Sequence, residues 1–309
     1  TEMVDACGHG PLDFFFNLGG NLLRNLPDPA YVRGALANVP MRVHQDIILN
    51  DQMLIPARET VLLLPAKTRY EQDDGGMETS TERRVMFTPE IPRQVGEARA
   101  EWKILRELAA ATYPERAHLL GCETGWKMRE EIARIIPLYD GVQHLKKTGD
   151  AFQYGGPHLF ENGKFLTPDG KAHFRAVSLP AQMAPDTLSN GLVKPAKNGA
   201  PASFMVSTRR GKQFNSLIYA EVDPLTGAPR DAVFMSPEDA AALHLSNGDP
   251  VRLRNDLGTL DCSVFLAPIA RGNLQVHWPE SNTILRRGAL DDHSGVPDYN
   301  AQVLVERRE

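Results

Sequence analysis

The pattern of apolar segments changes along this chain, and that change constrains its fold more than any other feature. In residues 1–112, short apolar runs alternate with stretches that have helical spacing. The runs with the length of buried strands are Leu12–Leu18, Arg42–Leu49 and Thr60–Leu64, and the helical stretches are Pro29–Leu36 and Ala98–Ala111. Strands that alternate with helices indicate an α/β segment with a parallel sheet.

The last part of the chain, residues 202–309, has short strand candidates at close spacing. They are Phe204–Ser207, Ala232–Met235, Val251–Asn255, Thr259–Leu266 and Asn273–His277. One short helix is predicted at Pro237–Leu243, with Ser236 as its N-cap. Many short strands with so little helix favour a closed β-barrel.

The intervening residues 113–201 are less regular. One helix is predicted at Lys127–Ile136, and Lys194–Pro201 has the composition of a linker. We therefore expect three regions: an α/β segment at 1–112, a connecting α+β region and linker at 113–201, and a β-barrel at 202–309. Within the first region, the polar stretch from Lys67 to Gln94 is too long for an ordinary connection, so we expect it to be functional or disordered.

Composition excludes several classes of protein. The net charge of -5 argues against a nucleic-acid binder, and no run approaches the roughly 18 apolar residues of a membrane span. Cys7, Cys122 and Cys262 are too far apart to predict an iron–sulfur or zinc site within this chain. Unpaired thiols favour a reducing, cytoplasmic location. The start without Met suggests a truncated or processed chain.

The predicted sheet has polar residues where two of its strands end. Gly19, Gly20 and Asn21 follow the first strand, and Gln45 and Asp46 lie near the end of the second. Ligands of open α/β sheets bind at this edge. Glycine lets a phosphate or ring approach the backbone, and Asp could pair with the N–H groups of a guanine or with ribose hydroxyls. The alternative is a pair of ordinary turns.

A second candidate site follows the first barrel strand. The segment Ser207–Asn215 combines cations, a glycine and an aromatic residue. This suits an anionic, planar ligand, because Arg binds phosphate with two N–H groups and Phe covers a ring face. A solvated basic loop is the alternative. Two segments with polar and aromatic residues lie near other strand ends, at His277–Asn282 and Asp298–Asn300. They contain either further ligand contacts or core aromatics and turns.

The order of the motifs resembles the C-terminal half of the molybdopterin oxidoreductases, in particular the formate-dehydrogenase-like branch. Each motif is weak alone, but six or more in one order are specific. They include Leu18–Asn21, Val43–Ile47, Glu78–Val85, Phe165–Phe174, Ser207–Arg210, Ser236–Asp239, Asn247–Asp249 and Pro297–Ala301. The chain departs from the family pattern at Leu22, where the family has proline, at Arg83, where it has glycine, and at Asn300, where some relatives have lysine.

The resemblance implies a fold and a cofactor. Residues 202–309 would form a six-stranded double-psi β-barrel, and the chain would hold molybdopterin guanine dinucleotide with molybdenum or tungsten. The implied cofactor-binding residues are Gly20, Asn21, Gln45, Asp46, Thr208, Arg210, Gly211, Phe214, Asn215, Asn282, Tyr299 and Asn300. The barrel loop should lie within about 15 Å of Asn300, on the scale of ~3.3 Å per extended residue.

The family's metal ligand, active-site residues and 4Fe–4S cysteines all lie upstream of the matched segment. The resemblance therefore implies no catalytic residue and no metal ligand in this chain. Its partners would be the upstream domains of the same enzyme, an electron-transfer subunit and a small substrate such as formate. We expect the chain alone to contain no iron or molybdenum and to oxidise no formate.

Two other functions remain open. The same folds could form a non-catalytic module that binds a nucleotide or a protein. An NAD-dependent enzyme built on Gly19 and Gly20 is less favoured, because the chain lacks the GxGxxG spacing and a suitable acidic residue about 20 positions further on.

Overall fold

The computed structural model describes residues 2–10, 12–158, 160–176, 203–212, 218, 220–291 and 294–308. These residues form a parallel sheet near the N-terminus, a small antiparallel sheet and a closed barrel near the C-terminus. The fold class predicted from the sequence is thereby confirmed.

The first sheet contains three parallel strands in the order β1-β2-β3. They are β1 (Phe14–Leu18), β2 (Met41–Asp46) and β3 (Thr60–Pro65). Strand β2 is central and ends three residues earlier than predicted. The reason is a turn, in which the Asp46 carboxylate accepts a hydrogen bond from the N–H of Ile47 at 2.7 Å.

Three helices accompany this sheet: α1 (Glu2–His9), α2 (Leu22–Asn25) and α3 (Pro29–Ala37). Helix α3 begins where predicted, because Pro29 fits the first helical turn and the Asp28 side chain caps the N–H of Tyr31 at 3.0 Å. The helices share one buried cluster, formed by Val4, Cys7, Leu23, Val32, Ala35, Leu36, Val39 and Ile55.

The polar stretch from Lys67 to Gln94 contains regular secondary structure, which favours the functional alternative over the disordered one. It contains a hairpin of β4 (Gly76–Thr79) and β5 (Arg84–Thr88), and β6 (Ala151–Gln153) pairs with the other side of β5. Val85 and Phe87 are buried in a small core. Four apolar residues among many charges were too weak a signal to predict this hairpin.

The helices α4 (Glu101–Thr112) and α5 (Gly125–Ile135) follow. Arg129 on α5 is buried, and its guanidinium lies 4.0 Å from the centre of the Trp126 ring and 5.0 Å from that of Phe87. It donates a hydrogen bond to the carbonyl of Asp74 at 2.9 Å. A buried cation thus joins α5 to the hairpin.

The C-terminal region is a closed barrel of six strands in the order β10-β8-β11-β7-β12-β9. Its elements are β7 (Ser203–Arg209), β8 (Ala232–Met235), α6 (Pro237–Ala242), β9 (Pro250–Arg254), β10 (Thr259–Leu266), β11 (Asn273–His277) and β12 (Asn300–Arg307). The pairs β8–β10 and β7–β11 are parallel, and the other pairs are antiparallel. The expected six-stranded double-psi barrel is confirmed, and β12 is the strand that periodicity missed.

The barrel contacts the α/β segment directly. The Asn282 side chain donates to the carbonyl of Arg24, and the N–H of Asp28 donates to the carbonyl of Asn282 at 3.1 Å. Arg287 pairs with Asp5 at 2.6 Å. These contacts fix the barrel against α1, α2 and α3.

Candidate functional site

The turn after β1 is open on its outer side. Gly19 and Gly20 have positive φ angles of 64° and 77°, and no atom lies within 4 Å of a Cβ placed on either residue. The N–H of Gly19 donates to the carbonyl of Gln45 at 2.8 Å, and the carbonyl of Gly20 accepts from the Gln52 side chain at 2.8 Å. The turn is therefore held rigidly, with room for a ligand beside its backbone.

Asn21 supports this turn from within. Its side chain accepts from the N–H of Arg24 at 3.3 Å and donates to the Asp51 carboxylate at 2.7 Å. Asn21 is thus the N-cap of α2, which accounts for an Asn after two glycines. Burial raises the pKa of Asp51, but the hydrogen bonds from Asn21 and Arg24 outweigh it and hold that pKa below its ordinary value.

Gln45 is fully buried at the carboxyl end of β2. Neither the oxygen nor the nitrogen of its side chain has a hydrogen-bond partner among the described residues. A buried polar group without a partner costs about 1–3 kcal/mol. Gln45 was predicted from its position near the strand end. The structure shows in addition that the donor and acceptor groups of its amide have no partner among the described residues.

Asp46 lies beside a cleft of about 280 Å³. Burial raises the pKa of its carboxyl group, and the N–H groups of Ile47 and Ile48 partly offset that rise. Asn50 donates to this carboxylate at 3.1 Å and, more weakly, to the carbonyl of Gly20 at 3.4 Å. Gly20, Asn21, Gln45 and Asp46 therefore meet at one edge of the sheet, as the prediction required.

Part of the second candidate site lies at one rim of the barrel. Asn300 is the register partner of Ser207 on adjacent strands, and such strands are about 4.8 Å apart. The guanidinium of Arg210 lies 4.4 Å from the centre of the Trp278 ring. The start of the loop and Asn300 thus satisfy the expected distance of about 15 Å, on the scale of ~3.3 Å per extended residue.

The other predicted residues of the barrel site are placed differently. Gly211 is buried and Tyr299 is half-buried, whereas Phe214 and Asn215 lie outside the described residues. Asn282 is buried at the junction with the α/β segment, and its side-chain oxygen has no hydrogen-bond partner among the described residues.

Sequence reasoning missed Asp223, which anchors the base of this loop. Its fully buried carboxylate accepts from the N–H groups of Lys212 and Leu225, each at 3.2 Å, and lies 3.5 Å from the Arg209 guanidinium. Burial alone would raise the pKa of Asp223, but these hydrogen bonds and the Arg209 charge hold it below its ordinary value. The turn sequence after Asp223 did not predict that its carboxylate accepts a hydrogen bond from the earlier loop.

The described ranges contain no group of three or more His, Cys, Asp or Glu side chains arranged to hold a metal ion. In the same ranges, no helix has the length and apolar character needed to cross a membrane.

Two family descriptions match this architecture. "Molybdopterin oxidoreductase" matches residues 1–111, and "Molydopterin dinucleotide binding domain" matches residues 167–303. Fold and sequence therefore define a molybdopterin-type protein. The chain belongs to the molybdopterin oxidoreductase family.

Two curated relatives match most of this chain in sequence. The F420-dependent formate dehydrogenase subunit alpha of Methanocaldococcus jannaschii is 27% identical over 326 residues, which cover 99% of this chain and 45% of that protein. Protein YdeP of Escherichia coli K12 is 25% identical, over 92% of this chain and 38% of its own length.

Among solved structures, acetylene hydratase from Pelobacter acetylenicus superposes with a TM-score of 0.64 at 15% identity and supports the fold alone. The match covers 98% of this chain and 45% of that one. The chain spans less than half the length of these three proteins.

Proposed function

We propose that this chain is the cofactor-holding C-terminal part of a formate-dehydrogenase-like enzyme that uses molybdenum or tungsten. The observation that carries the proposal is Gln45, a fully buried amide without a partner among the described residues, beside the open turn at Gly20. In a family that binds a pterin guanine dinucleotide, such a group is explained by a ligand that supplies the missing hydrogen bonds.

The residues at the sheet edge fit this cofactor. The backbone at Gly20 leaves room for a ring or a phosphate, and the Asp46 carboxylate accepts N–H groups of a heterocycle. The buried oxygen of Asn282 is a further acceptor without a partner among the described residues. Asn21 would contribute mainly by holding the turn.

The barrel rim would hold an anionic part of the same ligand. Arg210 can bind a phosphate, since its guanidinium is oriented by stacking on Trp278. Thr208, Gly211, Tyr299 and Asn300 would flank it, and we include Phe214 and Asn215 from the same loop. When bound, the cofactor supplies the redox chemistry of its metal. The residues of this chain bind it, orient it and exclude water, and we assign none of them a catalytic role.

The exposed face of the first sheet supports a larger enzyme. Phe14, Leu18 and Leu62 are each 42–50% exposed and lie on one face of the sheet. We propose that upstream domains cover this face and carry the 4Fe–4S cluster and the metal ligand. Because similar proteins are named alpha subunits, we also propose an electron-transfer subunit as a partner. The proposed regions remain 1–112, 113–201 and 202–309.

The proposal is tested by binding the oxidised, fluorescent form of the pterin guanine dinucleotide to the 309-residue chain. Fluorescence anisotropy should show saturable binding to the unmodified chain. Gly20→Val should weaken it at least about tenfold, which corresponds to about 1.4 kcal/mol, because the valine side chain would occupy the open space beside the turn. Gly170→Val is the matched control, because Gly170 also has a positive φ and open space around it but lies outside the proposed site. Equal effects of the two substitutions would contradict the proposal.

A further inference from the structure

Two aspartates of the barrel are fully buried, one near each end of strand β8. Asp223 precedes this strand and Asp239 follows it. Each carboxylate lies 3.5 Å from a guanidinium, that of Arg209 for Asp223 and that of Arg271 for Asp239. A buried charge is costly unless it is paired and hydrogen-bonded, so the contacts of each carboxylate indicate what it is kept for.

The carboxylate of Asp223 joins two loops. It accepts hydrogen bonds from the Thr226 hydroxyl at 3.0 Å and from the N–H of Leu225 at 3.2 Å, both in the turn that follows it. It also accepts from the N–H of Lys212 at 3.2 Å, in the loop after β7. Because one buried group binds both loops, the position of the loop after β7 depends on it.

Arg209 ends strand β7 and faces Asp223. Its guanidinium lies 4.8 Å from the centre of the Phe234 ring, and only 25% of its side chain is exposed. A guanidinium between a buried carboxylate and a ring face is held in one geometry. The charge of Arg209 is therefore used inside the protein.

Arg210 is placed differently, although it is the next residue. Successive side chains of an extended segment point to opposite sides, so Arg210 points away from Asp223. It is exposed, and its guanidinium lies 4.4 Å from the centre of the Trp278 ring. The charge of Arg210 is therefore available to an anion outside the barrel.

We propose that Asp223 and Arg209 are positioning residues, whose ion pair fixes the loop after β7 so that Arg210 faces the anionic part of the ligand. Of the two adjacent arginines, Arg210 binds the ligand and Arg209 holds the loop. This inference rests on the proposed function and adds to it the group that keeps the binding arginine in place.

The first test measures binding of the fluorescent dinucleotide to Asp223→Asn, which keeps the size of the side chain and removes its charge. The dissociation constant should rise about tenfold, because the apparent affinity falls with the fraction of chains whose loop is in the binding form. Asp239→Asn is the matched control, since Asp239 is equally buried, lies as far from an arginine and accepts from the N–H of Gly272 at 2.7 Å. Both variants should lose similar stability in urea, but only Asp223→Asn should lose affinity.

Arg209→Gln tests the pair from its less buried side and serves also if Asp223→Asn does not fold. It should raise the dissociation constant by a similar factor, and the double variant should bind no more weakly than either single one, because both remove the same interaction. Arg209→Lys keeps the charge and should recover part of the loss. Hydrogen exchange of the Lys212 N–H should rise in Asp223→Asn and stay unchanged in Asp239→Asn.

The outcomes separate the two proposals. Undiminished dinucleotide binding by Arg209→Gln, or equal losses of affinity in Asp223→Asn and Asp239→Asn, would overturn the positioning role. If Gly20→Val then still weakened binding, the proposed function would stand. If the unmodified chain bound no dinucleotide, the proposed function would fail and this inference with it.

Discussion

Polar residues on the central strand β2 set this sheet apart at the residue scale. Strands buried on both faces of a parallel sheet are usually continuous runs of Val, Ile and Leu. Here Arg42, His44 and Gln45 are at most 1% exposed, and each has side-chain atoms without a partner among the described residues. Such a strand is less stable than an apolar one, so its polar residues indicate a function rather than packing.

Gln45 and Gln52 provide a matched comparison, because both are fully buried. Gln52 bonds to the N–H of Leu22 and the carbonyl of Gly20, each at 2.8 Å, whereas Gln45 has no partner given by the structure. In urea denaturation without ligand, Gln45→Leu should raise the free energy of unfolding by about 1 kcal/mol, and Gln52→Leu should lower it by about 1–3 kcal/mol. A large loss of stability in Gln45→Leu would mean that its amide is already paired.

His44 predicts a pH dependence of stability. Its pKa falls from an ordinary value of 6.5 to about 4 in the folded chain, so the unfolded chain binds more protons between these values. Stability should therefore decrease as the pH falls from 6.5 to 4, by roughly 1–3 kcal/mol. The raised pKa of Asp46 has the opposite effect, because it stabilises the folded chain as the pH falls. The contribution of His44 is therefore obtained by comparing the unmodified chain with His44→Leu. The free energy of unfolding of this variant, taken from denaturation curves at several pH values, should fall less between pH 6.5 and 4. An unchanged pH dependence would contradict a neutral, buried His44.

At the scale of elements, the hairpin of β4 and β5 depends on Arg129. Arg129→Leu should destabilise the chain by about 2–4 kcal/mol, since it removes charge-assisted hydrogen bonds and a stacked cation. Hydrogen exchange should rise first in residues 74–88. Arg134→Leu on the same helix is the control, because Arg134 is exposed and pairs with Glu131 within one turn. Similar exchange in both variants would show that the hairpin does not depend on the buried cation.

Much of the fold could be predicted from the sequence. The bounds of β8, β10 and β11 agree with their apolar runs, because each run is closed by clear turn residues. Strand β12 was missed although its buried Val303 and Val305 alternate with more exposed residues, a pattern typical of a half-buried strand.

The candidate site could be predicted only in part. Gly20 and Asp46 were found because strand ends meet at one edge of a parallel sheet. The anchoring role of Asp223 and the junction position of Asn282 depend on distant contacts that spacing does not encode. Likewise, no sequence signal showed that His44 is buried without a partner.

At the scale of the whole molecule, the α/β segment and the barrel are joined while one face of the sheet stays exposed. Phe14, Leu18 and Leu62 form an apolar surface of the kind that proteins cover. We expect the 309-residue chain alone to self-associate, and Leu62→Lys to reduce this in sedimentation velocity. Lys164→Leu, which adds an apolar residue at an exposed position elsewhere, is the control. A monomeric chain at high concentration would contradict this expectation.

The central claim is that this chain holds the cofactor and leaves the chemistry to residues outside it. The direct measurement is made on the chain purified from a host that synthesises the cofactor, with the pterin guanine dinucleotide per chain determined alongside viologen-coupled formate oxidation. We predict bound dinucleotide without formate turnover. Turnover of formate by these 309 residues would place catalytic residues inside the chain, and the absence of any dinucleotide would contradict the holding role itself.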